Sequence, residues 1–132
     1  MTFKVTYNEN TNIIESRVHG DFDCGLIERM VPELAKLVLK MNSDLIFIDF
    51  RYCKVNMSTM KIYETPKKIA QEFAKMGVDA SKLRRAILIN TAQNDFDFLE
   101  SVTSNNAQIL KLFYDEESAI AWLTALGSVK NN

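Results

Sequence analysis

Two cysteines, one histidine, four glycines and two prolines are all that this chain of 132 residues holds of the types that usually signal chemistry or irregular backbone. Cys24 and Cys53 are too few for a disulfide framework, and they fit a reducing, cytoplasmic setting. His19 stands alone, whereas zinc sites draw on separated pairs of ligands. So although "HGDFDC" gathers His19, Asp21, Asp23 and Cys24, a strand end, a turn and a helix cap explain them, and no metal is assigned. The same lone histidine leaves either cysteine without the base a nucleophilic thiol needs; a small buried hydrophobe is the favoured use of each. Gly20, Gly25, Gly77 and Gly127 are scattered, so there is no phosphate cradle, no nucleophile elbow and no His-Glu zinc helix. No apolar run approaches the roughly 18 residues that cross a bilayer, and "MTFKVTYNEN" has no signal-peptide pattern. Sixteen basic residues against seventeen acidic ones, a net charge of −1, offer no basic field to nucleic acid or to an anionic membrane. The expectation is a soluble protein that is not an enzyme, needs no cofactor, binds no nucleic acid and has no integral membrane association.

What the chain does contain is patterning. The length suits one domain with a real core, taken here as residues 1–126, with 127–132 as a disordered tail. "TFKVTY" alternates Phe3, Val5 and Tyr7 with polar residues, "NENT" supplies turn chemistry, and "NIIESRVHG" resumes a strand closed by Gly20, which predicts an N-terminal hairpin. Asp23 can cap a helix whose apolar positions Ile27, Met30, Val31, Leu34, Leu37, Val38 and Met41 recur every three or four residues, with Pro32 predicting a kink or an early break. "DLIFIDF", Asp44 to Phe50, is nearly all apolar and reads as a central strand covered on both faces. In "STMKIYETPKKIAQEFAKMG" the residues Met60, Tyr63, Ile69, Phe73 and Met76 fall at helical spacing, with Gly77 as the stop; the stripe is read as core, and Met57, Met60, Met76, Tyr63 and Phe73 as an adaptable binding surface are the other reading. Thr65-Pro66 inside it reads as a second cap, so that helix is expected in two pieces. "RRAILIN" is a further buried strand, with Arg84-Arg85, like Lys67-Lys68, read as solvated. "NDFDFLESVTSN" predicts a short helix through Phe96, Leu99 and Val102. Last come the strand "QILKLFY" and a helix capped by Asp115. The acidic pairs Asp95 with Asp97 and Glu116 with Glu117 suit helix starts better than acid-base chemistry. Strand and helix alternate after the hairpin, which predicts an α/β fold with a mixed, mostly parallel five-stranded sheet and about four helices.

That order, together with "RRAILI", the proline at Pro32 and the closing "FYDEESAIAWL" with Ala119 and Trp122-Leu123, resembles the SpoIIAA-like domains, relatives of the STAS domain of anti-sigma-factor antagonists. The likeness spans nearly the whole chain. It implies a βα superhelix with an added N-terminal strand, used in the STAS branch to bind partner proteins under control of serine phosphorylation. A second branch is similar in general shape to lipid-carrying CRAL-TRIO domains, which implies an apolar pocket.

In STAS antagonists a strand ending in Asp leads through a loop to an Asp-Ser-Ser/Thr-Gly step at a helix start, where the first Ser accepts phosphate. With Asp49 on the strand aspartate, Ser58 and Thr59 fall on the hydroxyl positions, while Met57 stands where the motif has Asp and Met60 where it has Gly. Ser58 thus has two readings, a phosphoacceptor at a helix N-terminus or a plain N-cap. Asp49 has two as well, a ligand contact at a strand's carboxyl end or a carboxylate that fixes the loop, and Arg51 can pair with it or with an anion. The first functional expectation is a regulatory module that docks on a partner protein through Asp49, Arg51, Met57, Ser58, Thr59 and Met60. The alternative is a carrier of a lipid or small apolar ligand under the helix from Met60 to Met76. A homodimer with no ligand is the third.

Overall fold

The computed structural model describes residues 2–90 and 109–130, with side chains as far as residue 125. The alternating N-terminal stretch forms β1 (Thr2–Asn8), paired antiparallel with β2 (Ile13–Phe22). Between them Asn12 adopts a left-handed backbone (φ 62°), and its amide donates to the Asn8 carbonyl at 2.9 Å. Asparagine tolerates that conformation better than most residues, which is why an Asn-rich turn closes the hairpin here. Asp23 caps α1 (Cys24–Met41) as expected, its carboxylate accepting the Leu26 amide at 2.9 Å. Then follow β3 (Leu45–Val55), α2 (Thr59–Lys75), a 3-10 turn (Ala80–Lys82), β4 (Arg84–Leu88), β5 (Ile109–Phe113) and α3 (Glu116–Lys130). Asp115 caps α3 by accepting the Ser118 amide at 2.8 Å, and Glu116 and Glu117 occupy the first turn, where the helix dipole favours negative charge.

The five strands lie in the order β1-β2-β3-β4-β5, antiparallel in the hairpin and parallel elsewhere, so β3 is the middle strand, as its sequence predicts. One face packs Ile14, Val18, Ile46, Ile48, Phe50 and Ile87 beneath α1 and α2. The other packs Ile13, Leu45, Phe47, Ala86 and Leu88 beneath Ala119 and Leu123 of α3. Three α-helices are present among the described residues; the helix expected through Phe96, Leu99 and Val102, and the pair Asp95 and Asp97, lie outside them. None of the helices among the described residues is long and apolar enough to cross a membrane.

Several local expectations are corrected. Strand β2 does not close at Gly20 but runs on to Phe22; Gly20 takes φ +113°, a region that side chains disfavour, opposite Cys53. Likewise β3 continues past Phe50 to Val55, because the lengthened β2 supplies it with a partner, His19 to Phe22 pairing with Tyr52 to Val55. Cys53 therefore lies within the strand, not beyond its end. Helix α1 is continuous through Pro32, and the buried Met30, Val31, Leu34 and Ala35 around that position hold the turns on either side of it. Helix α2 is one piece too. Thr65 is buried, and its hydroxyl donates back to the Lys61 carbonyl at 3.0 Å instead of capping a new helix at Pro66. Gly77, with φ +82°, follows its last turn as expected.

Phe47 is fully buried between the sheet and α3, with the Arg17 guanidinium 5.5 Å from its ring centre. Phe47→Ala is expected to lower stability by about 3–5 kcal/mol, read as a shifted midpoint in urea unfolding.

Candidate functional site

Asp49 interrupts the first half of β3, Leu45 to Phe50, which is otherwise apolar on both faces, and the register explains how it is tolerated. Arg17 of β2 faces Asp49, but the next aligned pair is His19 with Tyr52, so two residues of β3, Phe50 and Arg51, lie opposite Val18. This bulge turns Arg51 back onto the carboxylate. Asp49 Oδ1 accepts the Arg51 amide and Nε, each at 3.0 Å; Oδ2 accepts Arg51 Nη2 at 2.8 Å and Arg17 Nη1 at 3.1 Å. The same Arg17 nitrogen donates to Glu116 Oε1 at 3.0 Å, which joins the start of α3 to the sheet. Asp49 is only 2% exposed. Burial alone raises its carboxyl pKa, and the bonds from Arg51, with help from Arg17, reverse that and hold it below the ordinary carboxylate value. Beside this network the His19 and Tyr52 rings stack 5.0 Å apart, and the Arg51 guanidinium lies 5.6 Å from the Tyr52 ring centre.

Ser58, Thr59 and Met60 stand on the other layer, at the start of α2. Ser58 is the N-cap, its hydroxyl accepting the Lys61 amide at 3.3 Å, and it is exposed. Thr59 is exposed as well. The run into this cap is fixed by Asn56, whose amide donates to the Phe22 carbonyl at 3.0 Å and whose side chain donates to Asp21 at 3.3 Å. Met57 packs partly into the core. Met60 and Tyr63 do not belong to the core stripe expected of them; they are 73% and 58% exposed and, three residues apart, share the outer face of α2. Phe73 is buried as expected, and Ile69 and Met76 are partly so. The structure thus brings Asp49 and Arg51 together, and brings Ser58, Thr59 and Met60 together, but sets the two groups on opposite sides of the sheet.

A cleft of about 260 Å³ opens beside the α2 start, lined by Cys24, Ile27, Glu28, Lys61, Glu64, Thr65 and Lys68. Lys68 is not simply solvated; it bridges to α1 by meeting Glu28 at 3.1 Å, and within α2 it meets Glu72 at 3.5 Å. Arg85 is also not solvated. It is 3% exposed, lies under α1 and α2, and burial brings its pKa down to about 10. The core around it encloses a cavity of about 30 Å³, lined by Phe22, Ile27, Met30, Ile69 and Phe73 among others, which is space for about one water molecule. Burial, with negative charge at Asp49 and Asp21, pushes the Cys53 thiol up to about 12, which leaves it unreactive near neutral pH. Among the described residues no group of three or more His, Cys, Asp or Glu side chains is arranged to hold a metal ion.

Sequence reading missed Arg17 as a partner of Asp49, Glu116 as a further partner of Arg17, and the Tyr52 stack on His19. Alternation does place Glu15, Arg17 and His19 on one face of β2, but only the register with β3 shows what they meet.

The sign of the Asp49 effect follows from its depressed pKa: the stabilisation is present above the unfolded value near pH 4 and drains away as pH falls through the native one. Asp49→Asn is expected to cost about 1–3 kcal/mol at neutral pH, because both arginines keep water access, and to flatten the acid side of the stability–pH curve in urea unfolding.

No family model matches this sequence, and no curated protein matches it. Among solved structures it is similar to an anti-sigma factor antagonist from Mycobacterium paratuberculosis, at 10% identity over 92% of this chain and 94% of that one, with a TM-score of 0.57. It is also similar to an uncharacterised protein of the DUF3478 family with a SpoIIAA-like fold from Shewanella loihica, at 18% identity over 92% of each chain, with a TM-score of 0.55. At such identities the likeness is one of backbone architecture. The hairpin-led sheet in sequential order, with α1 and α2 on one face and α3 on the other, therefore gives this chain the SpoIIAA-like fold.

Proposed function

We propose that the protein is a non-enzymatic regulatory module that docks on a partner protein through the start of α2, with Ser58 and Thr59 as the phosphorylated switch. One observation carries the reading: an exposed cap hydroxyl stands next to two large apolar side chains, Met60 and Tyr63, that the fold leaves 73% and 58% exposed. Apolar groups of that size held on a helix, with their backbone already fixed, suit a docking surface. The fold shared with an anti-sigma factor antagonist agrees with this use. Met57 supports the patch from below, its side chain anchored in the core. Asp49 and Arg51 satisfy each other on the opposite layer, so their part is to hold the architecture.

Phosphate on Ser58 would add nearly two negative charges where the Lys61 amide and the helix dipole can hold them. The same charge would hydrate the edge of the apolar patch and oppose a partner's apolar surface. Modification and docking thereby compete for one surface. The carrier alternative finds little support, since the core beneath α2 encloses space for about one water and not for an acyl chain.

Met60→Ala and Tyr63→Ala are expected to reduce capture of the native partner from cell extract by tenfold or more, while shifting unfolding by less than about 0.5 kcal/mol, as suits exposed positions. Ser58→Ala is expected to cost about 1 kcal/mol of stability as a lost cap while keeping partner binding, and Ser58→Asp to displace the partner. Equal binding by all these variants, or no phosphate at Ser58 or Thr59 by mass spectrometry of protein from its native cells in any growth state, overturns the proposal.

A further inference from the structure

The hairpin places β1 at one margin of the sheet, and among the described residues nothing pairs with its outer edge. Proteins usually guard such an edge with proline, a bulge, a very short strand or charged side chains, lysine above all. Here β1 has seven residues, "TFKVTYN", in unbroken register with β2, and its one charge is Lys4. Phe3, Val5 and Tyr7 lean on the core beneath α1, while Thr2, Lys4 and Thr6 are exposed on the other face.

We propose that this edge pairs with the same edge of a second copy, two β1 strands running antiparallel about a two-fold axis at Val5 to give one continuous sheet. The argument is the strand's self-complementarity. A continuous sheet that keeps the α1 layers of both copies on one side requires each residue to face a partner from the same face of its own strand. Centring on Val5 meets that rule and uses the whole strand: Thr2 faces Asn8, Phe3 faces Tyr7, and Lys4 faces Thr6, each twice. It sets two aromatic pairs beside the core and keeps the lysines apart. Centring on Lys4 instead opposes like charges, and centring on Thr6 leaves the strand ends unpaired. The edge lies on β1, away from the α2 surface, so pairing leaves Ser58 and Met60 open.

The test uses the full chain in sedimentation equilibrium across a concentration series, expected to show a reversible monomer–dimer equilibrium. Thr6→Lys places a second lysine opposite Lys4 at two symmetric points and is expected to weaken the dimer by roughly tenfold. Adding Lys4→Glu is expected to restore it, and both changes sit on the exposed face, where in the monomer they meet Glu15 and Arg17 across the hairpin. In a Cys24→Ser background, Val5→Cys is expected to form an intermolecular disulfide under mild oxidation, because residues directly opposite in antiparallel strands have Cα atoms about 4.5–5.5 Å apart. Phe3→Cys is expected not to, since its two copies would be roughly 13 Å apart. A monomer at every concentration, a dimer indifferent to Thr6→Lys, or a Val5→Cys chain that does not cross-link overturns the proposal, as does finding the β1 edge occupied by a strand of another protein.

Discussion

Leu45, Ile46, Phe47, Ile48 and Phe50 of β3 are each no more than 5% exposed, some pressed against α1 and α2 and the others against α3. A strand so apolar on both sides can sit only where helices cover both faces, which means the interior of a largely parallel sheet. From that follow the crossovers through α1 and α2, the placing of α3 on the far face, and the relegation of β1 to a margin. Short sequential connections then leave the strand order 1-2-3-4-5 as the simplest solution.

Asp49 is the exception that shapes the upper half of the sheet. A buried carboxylate is tolerated only when its charge is met and its lone pairs are filled. The bulge at Phe50 and Arg51 does both at once by folding a cation back along its own strand, and Arg17 extends the network across β2 to the first turn of α3. Three separate elements are thus tied to one carboxylate, at the place where β3 outruns β4 and continues with β2 alone. The cations keep part of their surface in water, which limits what the network contributes but also what it costs.

On the opposite layer the regulation proposed above would act through the same group that caps α2. The Ser58 hydroxyl holds the Lys61 amide, so any modification there acts directly on the first turn of the helix that carries Met60 and Tyr63. The Glu28–Lys68 pair ties that helix to α1, Glu72 holds Lys68 from within α2, and Phe73 anchors its far half. A packed rear and an exposed front agree with the proposed docking surface, whose affinity would be set by local charge and not by refolding.

Much of the architecture was legible in the chain because it is written in short-range periodicity. The caps at Asp23, Ser58 and Asp115, the Asn-rich turn, the central strand and the stop at Gly77 each depend on residues within a few positions of one another. The errors share a physical origin in partners distant along the chain. Arg84-Arg85 looks solvated until β4 turns Arg85 under α1 and α2, and Met60 and Tyr63 look like core until the helix is seen to bury Ile69 and Phe73 instead. Pro32 and Pro66 predict breaks from local sterics alone, yet packing holds both helices continuous. By itself the sequence determined the elements, their order and the double burial of β3, since hydrophobic spacing and caps act locally. Only the tertiary structure decided that Asp49 is enclosed by Arg17 and Arg51 while Ser58, Met60 and Tyr63 face water, because register and layer are settled by contacts between residues far apart in the chain.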